Sequence, residues 1–124
     1  MQQRIYIDTS VFGGYFETEF QLWSKRLINK VTEQKYKAVV SDITLLELEP
    51  ALEYVKKLAI EVTSKYGEFI TAGVAEKELA EMYLKERIVT HRFRSDALHI
   101  AIASISKVDI LVSWNFKHIV NLNR

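Results

Sequence analysis

The hydrophobic residues of the chain follow two patterns. Continuous apolar runs, typical of strands buried on both faces, cover residues 5–7, 38–41 and 110–113, with a weaker run at 69–71. Between them, apolar residues recur at helical spacing over residues 21–34, 51–66, 74–87 and 96–106, with a shorter stretch that carries Leu45, Leu46 and Leu48. The pattern predicts an α/β fold of three layers, α/β/α, in which helices flank a short central parallel sheet on both faces.

Polar residues and glycine mark where the predicted helices start and stop. We expect Asp42 chiefly to cap the helix after the second strand, and Ser95 to cap the helix over residues 96–106. Pro50 is expected to interrupt the helical stretch, and Gly67 to end the helix over residues 51–66. Asn115 is expected to begin a final short helix.

Length and composition fit a single domain over residues 1–124. The chain is 48% hydrophobic and 27% charged with a net charge of +1, so disorder and a strongly basic nucleic-acid binder are both disfavoured. The lack of cysteine excludes disulfides, thiolate metal sites and cysteine nucleophiles. No apolar run approaches the ~18 residues that span a bilayer, and residues 1–10 lack a signal-peptide pattern. We therefore expect a cytoplasmic protein that does not contact membranes.

Acidic residues stand where the predicted strands end. Asp8 directly follows the first strand, Glu47 lies in the helix after the second, and Asp96 begins an almost wholly apolar helix. Ser113 and Asn115 follow the last strand. Since ligands of open α/β sheets bind beyond the carboxyl ends of the strands, we expect these side chains to meet at one edge of the sheet.

Carboxylates that converge repel one another unless a cation neutralises them. A set of oxygen ligands suits Mg²⁺ or Mn²⁺. Such an ion can activate water for the hydrolysis of a phosphodiester and stabilise the charge that develops. We therefore expect Asp8, Glu47 and Asp96 to bind one Mg²⁺ or Mn²⁺.

Each acid also has an ordinary structural explanation. Asp8 fits a turn after a strand, Glu47 a solvated helix face, and Asp96 a favourable charge near a helix N-terminus. Only their combination at the strand ends indicates a site. His99, one turn after Asp96 on the same helix face, could contact the active site but is expected mainly to be a hydrogen-bonded core histidine, and His118 is expected to pack or cap.

Four segments resemble the PIN-domain ribonucleases, in particular the VapC-like toxins of bacterial and archaeal toxin–antitoxin pairs. They are IYIDTSVF, VVSDITLLELEPA, DALHIAIA and ILVSWNFKHI, and the resemblance covers nearly the whole chain, from Ile5 to His118. The DALHIAIA block, followed by a strand and SWNFKH, is the most specific part. The resemblance implies a PIN fold, RNA cleavage with Mg²⁺ or Mn²⁺, a cognate antitoxin of a type II pair, and a homodimer.

The resemblance also implies roles for single residues. Asp8, Glu47 and Asp96 match the first three acids of the family, which are catalytic and hold the metal. Ser10 matches a small polar residue that supports the first acid, and Ser113 matches the Ser or Thr after the last core strand.

Asn115 departs from the family pattern, because many PIN domains have a fourth acid there. An amide can position water or ligand but adds no charge, which favours one metal over two. The departure also leaves open a degenerate PIN module that binds RNA or a protein partner without cleavage. The chain ends at Arg124, where such proteins often continue into a further edge strand.

Basic and aromatic residues flank the expected site. The densest basic stretch contains Arg92 and Arg94, which could hold RNA phosphates or lie in a solvated loop, and Arg94 could pair with Asp96. The apolar segment with Tyr15-Phe16 and residues 20–23 could bind an antitoxin peptide or a second subunit, or simply pack in the core.

Two other α/β classes fail on residues. A haloacid-dehalogenase-type phosphatase needs a second Asp two residues after the first, where this chain has Ser10. A receiver domain needs an acidic pair after the first strand and a lysine after the last, where this chain has a single Asp8 and Trp114-Asn115.

Overall fold

The computed structural model describes residues 2–86 and 94–115. The four strands are β1 (Gln3–Ile7), β2 (Tyr36–Ser41), β3 (Gly67–Ile70) and β4 (Ile110–Val112). The six helices are α1 (Thr9–Gly14), α2 (Gln21–Thr32), α3 (Asp42–Leu48), α4 (Glu53–Tyr66), α5 (Val74–Lys85) and α6 (Arg94–Ile105).

The strands form one parallel sheet in the order β3-β2-β1-β4. In β1, Ile5 pairs with Ala38 of β2 on one side and with Ile110 of β4 on the other. The chain builds the sheet outward from β1 through β2 to β3, and then returns to add β4 on the opposite side of β1. The direction of winding therefore reverses between β1 and β4, which is where open α/β sheets form a ligand crevice.

Alternate residues of the central strands face the two helical layers. Ile5, Ile7 and Val40 pack in a core with residues of α1, α2 and α4. Tyr6 and Val39 point to the other face, where they pack with residues of α6. Because both faces of β1 and β2 are buried, polar and apolar residues do not alternate along these strands. The predicted three-layer α/β/α fold is confirmed.

Helix boundaries differ from the sequence prediction in two places. Ser41, not Asp42, occupies the N-cap position of α3, and the Asp42 Oδ1 atom accepts a hydrogen bond of 3.0 Å from the backbone N–H of Ala72. Asp42 thus ties α3 to the segment after β3. Ser95 lies inside α6, which already includes Arg94, so it does not cap that helix.

The remaining boundaries agree more closely. The helix expected from residue 51 begins at Glu53, after the break at Pro50, and Gly67 follows α4 as the first residue of β3. The helix expected from Asn115, like His118 and the chain end at Arg124, lies outside the described residues. Within residues 2–86 and 94–115, no helix has both the length and the hydropathy needed to cross a membrane.

Candidate metal centre

Asp8 lies at the reversal of winding between β1 and β4. It follows β1 directly and is the N-cap of α1, where its side chain accepts from the backbone N–H of Ser10 at 3.4 Å. Its own N–H extends the parallel ladder by donating to the Val112 carbonyl at 3.0 Å. The carboxylate is therefore fixed by two elements and is almost completely buried.

Two hydroxyl groups hold one oxygen of the Asp8 carboxylate. The Ser10 and Ser113 hydroxyls each donate to Oδ2 at 2.7 Å. The two serines are held in turn by the start of the next segment, because the N–H groups of Trp114 and Asn115 donate to Ser10 Oγ at 2.9 Å and Ser113 Oγ at 3.0 Å. Oδ2 is thus anchored, while Oδ1 faces the interior of the site.

Glu47 reaches the same site from α3. Its Oε1 atom accepts a hydrogen bond of 2.6 Å from the Thr9 hydroxyl and lies 2.5 Å from His99 Nε2. Its side chain is 28% exposed. Glu47 is therefore held toward Asp8 and does not lie on a solvated helix face.

His99 joins the two carboxylates. Its Nε2 lies 3.2 Å from Asp8 Oδ1 as well as 2.5 Å from Glu47 Oε1. Its Nδ1 lies 2.5 Å from the Tyr6 hydroxyl, which is also 2.7 Å from Ser41 Oγ. The expectation of a hydrogen-bonded core histidine is therefore incomplete, because the ring is buried but its partners belong to the acidic site.

The position of His99 in the sequence supports the less favoured expectation, contact with the site. His99 is a polar ring on the otherwise apolar run from Ala97 to Ala103, one turn after Asp96. A buried imidazole needs hydrogen-bond partners, and the acids expected at that end of the sheet were suitable ones.

The surroundings of His99 favour its protonated form. Burial opposes the charge, but the hydrogen bond with Glu47 and the charges of Asp8, Glu47 and Asp96 outweigh it, so the pKa of His99 is raised above its ordinary value. Burial raises the pKa of Tyr6, so its phenol stays protonated. The Tyr6 hydroxyl can accept a hydrogen bond from His99 Nδ1–H and donate one to Ser41 Oγ. His99 Nε2 is then directed at the carboxylates of Asp8 and Glu47.

Asp96 and Asn115 lie at the margin of this group. With Asp8, His99 and Ser113 they surround a small cavity at the start of α6. Asp96 is half-buried in the first turn of that helix. The structure thus brings all three expected acids to one edge of the sheet, with Asp8 and Glu47 in direct contact with His99 and Asp96 beside it.

The two basic candidates have different outcomes. Arg94 forms an ion pair with Glu81 of α5, and its side chain is 49% exposed. Arg92 lies outside the described residues. The contact of Arg94 with Glu81 connects α5 to the start of α6, the helix that carries Asp96 and His99.

The donor set fits a divalent cation. One ligand atom each from Asp8, Glu47 and His99 lies within 4.8 Å of the others. Ligands about 2.1 Å from one Mg²⁺ ion lie at most about 4.2 Å apart, so only a small adjustment is needed for three of them to reach a single ion. Two carboxylates suit Mg²⁺ or Mn²⁺, and an imidazole nitrogen suits a transition metal better than Mg²⁺.

Comparisons with known proteins agree with this architecture. No protein-family model matches the chain, and no curated protein matches it. Among solved structures, VapC20 of Mycobacterium tuberculosis, described as a sarcin–ricin loop cleaving toxin, superposes with a TM-score of 0.67 and 15% identity over 92% of both chains.

A second solved structure has the same fold. The chain is similar to VapBC2 from Rickettsia felis bound to a DNA fragment from their promoter, with a TM-score of 0.61 and 14% identity over 94% of this chain and 92% of that chain. At such low identity the likeness establishes architecture. The chain has the PIN-like fold of the VapC toxins.

Proposed function

We propose that the protein is a metal-dependent endoribonuclease that hydrolyses RNA phosphodiester bonds, and that it is the toxin of a type II toxin–antitoxin pair. The observation that carries the proposal is the meeting of two buried or half-buried carboxylates, Asp8 and Glu47, at the reversal of winding. Like charges brought together in this way repel each other, and a divalent cation bound between them would offset that repulsion. The likeness to a sarcin–ricin loop cleaving toxin supports RNA as the substrate class.

The proposed metal ligands are Asp8, Glu47 and Asp96, directly or through water. When bound, a divalent ion supplies positive charge that stabilises the phosphodiester transition state. The residues of the chain then have separate tasks. Ser10 and Ser113 hold Asp8 Oδ2 so that Oδ1 keeps its direction, as their 2.7 Å hydrogen bonds indicate.

Further side chains orient the ligands and the substrate. Thr9 restrains Glu47 through its 2.6 Å hydrogen bond. Asn115 lines the small cavity at the start of α6, and its backbone N–H donates to Ser113 Oγ. It is proposed to position water or substrate. His99 is proposed to act as an additional nitrogen ligand once Nε2 has lost its proton, which favours Mn²⁺ over Mg²⁺ at this site.

Phosphate contacts outside the metal centre are assigned to the basic stretch. Arg92 comes before α6 in the sequence and Arg94 is the first residue of that helix, and cations there would hold RNA phosphates in a salt-dependent way. The ion pair of Arg94 with Glu81 holds its guanidinium near the start of that helix.

The remaining proposals concern organisation and partners. We propose that residues 1–124 form a single domain and that the protein is cytoplasmic. We also propose that it forms a homodimer and binds a cognate antitoxin. The likeness to VapBC2 bound to promoter DNA supports an antitoxin as partner.

One observation favours a second function. Asn115 contributes no charge where many PIN domains have a fourth acid, so the centre holds fewer negative ligands. A degenerate module that binds RNA or a protein partner without cleavage is therefore the alternative. The two functions differ in whether added metal produces cut RNA.

The test is cleavage of ribosomal RNA and a random oligoribonucleotide pool with Mg²⁺, Mn²⁺ or a chelator. We expect cleavage with either ion and none with the chelator. Asp8→Asn should abolish cleavage while preserving the fold, because Asn is an equally good N-cap residue. Asp109→Asn, the same substitution at the opposite end of the sheet, should cleave normally. Metal-independent cleavage, or full activity of Asp8→Asn, would contradict the proposal.

A further inference from the structure

A cavity of about 510 Å³ adjoins the candidate metal centre. Ser10, Glu47 and Asn115 line this cavity and also belong to that centre. Its other walls come from α1, α4 and the segment that leads into α2. Pockets for small ligands have volumes of about 300–1,000 Å³, so this cavity can take a planar group beside a phosphodiester bound at the centre.

Four aromatic side chains line the cavity in two pairs. Phe20 and Trp114 stack with ring centroids 5.7 Å apart and planes inclined by 5°, and Trp114 Nε1 donates to Ser24 Oγ at 3.0 Å. Phe16 and Tyr54 meet edge to face at 4.6 Å and are 39% and 49% exposed. The first pair is a fixed wall, and the second offers ring surface that solvent reaches.

The fixed wall depends on a glycine. A Cβ atom at Gly14 would lie 2.8 Å from Trp114 Nε1 and 2.9 Å from Phe20 Cβ, which is closer than real contacts allow. The backbone of α1 therefore approaches the Trp114 ring and the Cβ atom of Phe20 more closely than any side chain at residue 14 would permit. The cavity wall is a close-packed part of the fold.

One carboxylate in the cavity is separate from the metal centre. Glu17 lines the cavity, and its Oε1 lies 3.5 Å from the position of a Cβ at Gly13. It is exposed. A carboxylate repels phosphate but accepts N–H groups. Guanine presents two neighbouring N–H donors, N1–H and the N2 amino group, which match the two oxygens of a carboxylate.

We propose that this cavity binds an unpaired guanine base of the RNA next to the scissile phosphodiester. The base lies against Phe16 and Tyr54 and donates N1–H and N2–H to Glu17. The proposal rests on the proposed ribonuclease function. Proteins read RNA sequence mainly on unstacked bases, which stack on aromatic side chains and expose their Watson–Crick edge.

An arginine side chain of a peptide would also suit aromatic rings and a carboxylate. The position of the cavity favours an RNA base over a peptide arginine as its ligand. Because the cavity shares Ser10, Glu47 and Asn115 with the metal centre, a nucleotide that flanks a phosphodiester held there lies at its opening.

The test is an NMR titration with the four neutral nucleosides, which need neither metal nor phosphate to bind. We expect guanosine to shift the ring resonances of Phe16 and Tyr54 more strongly than adenosine, cytidine or uridine. Phe16→Ala should weaken guanosine binding about 5- to 100-fold, the range of base–aromatic stacking. Glu17→Gln should remove the preference for guanosine. Phe69→Ala, which truncates a ring of similar exposure (47%) on β3, should have no effect.

Two results would overturn the proposal. One is equal or absent binding of the four nucleosides. The other is binding of N-acetylarginine amide to the same rings while guanosine is inert, which would identify a peptide site. The result is independent of cleavage. A protein that binds guanosine without cutting RNA contradicts only the ribonuclease, and one that cuts RNA but ignores guanosine contradicts only the base site.

Discussion

The two ends of the parallel sheet hold charged side chains in opposite ways. At the amino end, Arg4 Nε donates to Glu68 Oε1 at 2.8 Å, and the Arg4 backbone N–H donates to Asp109 Oδ2 at 2.8 Å. There the Arg4 guanidinium offsets the charge of Glu68, and a backbone N–H holds the carboxylate of Asp109. At the carboxyl end, Asp8 and Glu47 carry the same sign and meet at one histidine.

The comparison distinguishes charges that stabilise the fold from charges that could bind a ligand. In the ion pair of Arg4 with Glu68, each charge is offset by its partner. Asp8, Glu47 and Asp96 around His99 leave a net charge of −2 even when the imidazole is protonated, whereas Arg4 with Glu68 and Asp109 leaves a net charge of −1. We therefore expect a cation to bind at the carboxyl end rather than at the amino end.

The largest expected effect is on stabilisation by metal. Excess Mn²⁺ at a hundred times its dissociation constant should stabilise the wild type by about 2.7 kcal/mol. Glu47→Gln should lose most of this stabilisation, because it removes a charged ligand. Glu68→Gln, the same substitution at the amino end, should retain it. Thermal unfolding with and without Mn²⁺ measures both, and equal stabilisation of the two variants would remove the distinction between the ends.

The next effect concerns the support of His99. Tyr6→Phe removes the hydroxyl between Ser41 and His99 and leaves buried polar atoms without a partner. We expect a loss of about 1–3 kcal/mol in unfolding free energy and a metal affinity about 10-fold lower. Urea unfolding and calorimetric Mn²⁺ titration separate the two effects. A destabilised variant with unchanged metal affinity would show that His99 does not act at the metal.

The smallest effect lies at the amino end. The side chains of Arg4 and Glu68 are 30% and 37% exposed, so solvent screens their ion pair. Glu68→Gln should therefore cost no more than about 1 kcal/mol, less in high salt. Urea unfolding at two salt concentrations measures the change in unfolding free energy. A loss of unfolding free energy as large as that of Tyr6→Phe would contradict a small contribution of this ion pair to stability.

The sequence predicted the sheet and the meeting of acids for one physical reason. Continuous apolar runs such as residues 38–41 form strands buried on both faces, and parallel strands bring their carboxyl ends to one edge. Asp8, Glu47 and Asp96 could therefore be placed together without knowledge of any distance.

Contacts between distant segments could not be predicted in the same way. Local pattern favours Asp42 as a capping residue, but its partner is the N–H of Ala72, 30 residues away. The apolar helix around His99 favours a core role over contact with the site, and the contacts of His99 with Glu47 and Tyr6 depend on how α6 packs against α3 and β1. Local patterns specify elements, whereas these partners are specified by packing.

The decisive measurement for the proposed metal centre is a titration of the full chain with Mn²⁺, followed by the loss of the free-ion signal in electron paramagnetic resonance. We predict one tightly bound ion per chain in the wild type and in Asp109→Asn, and none in folded Asp8→Asn. Absence of a bound ion in the wild type, or an unchanged site in Asp8→Asn, would contradict it.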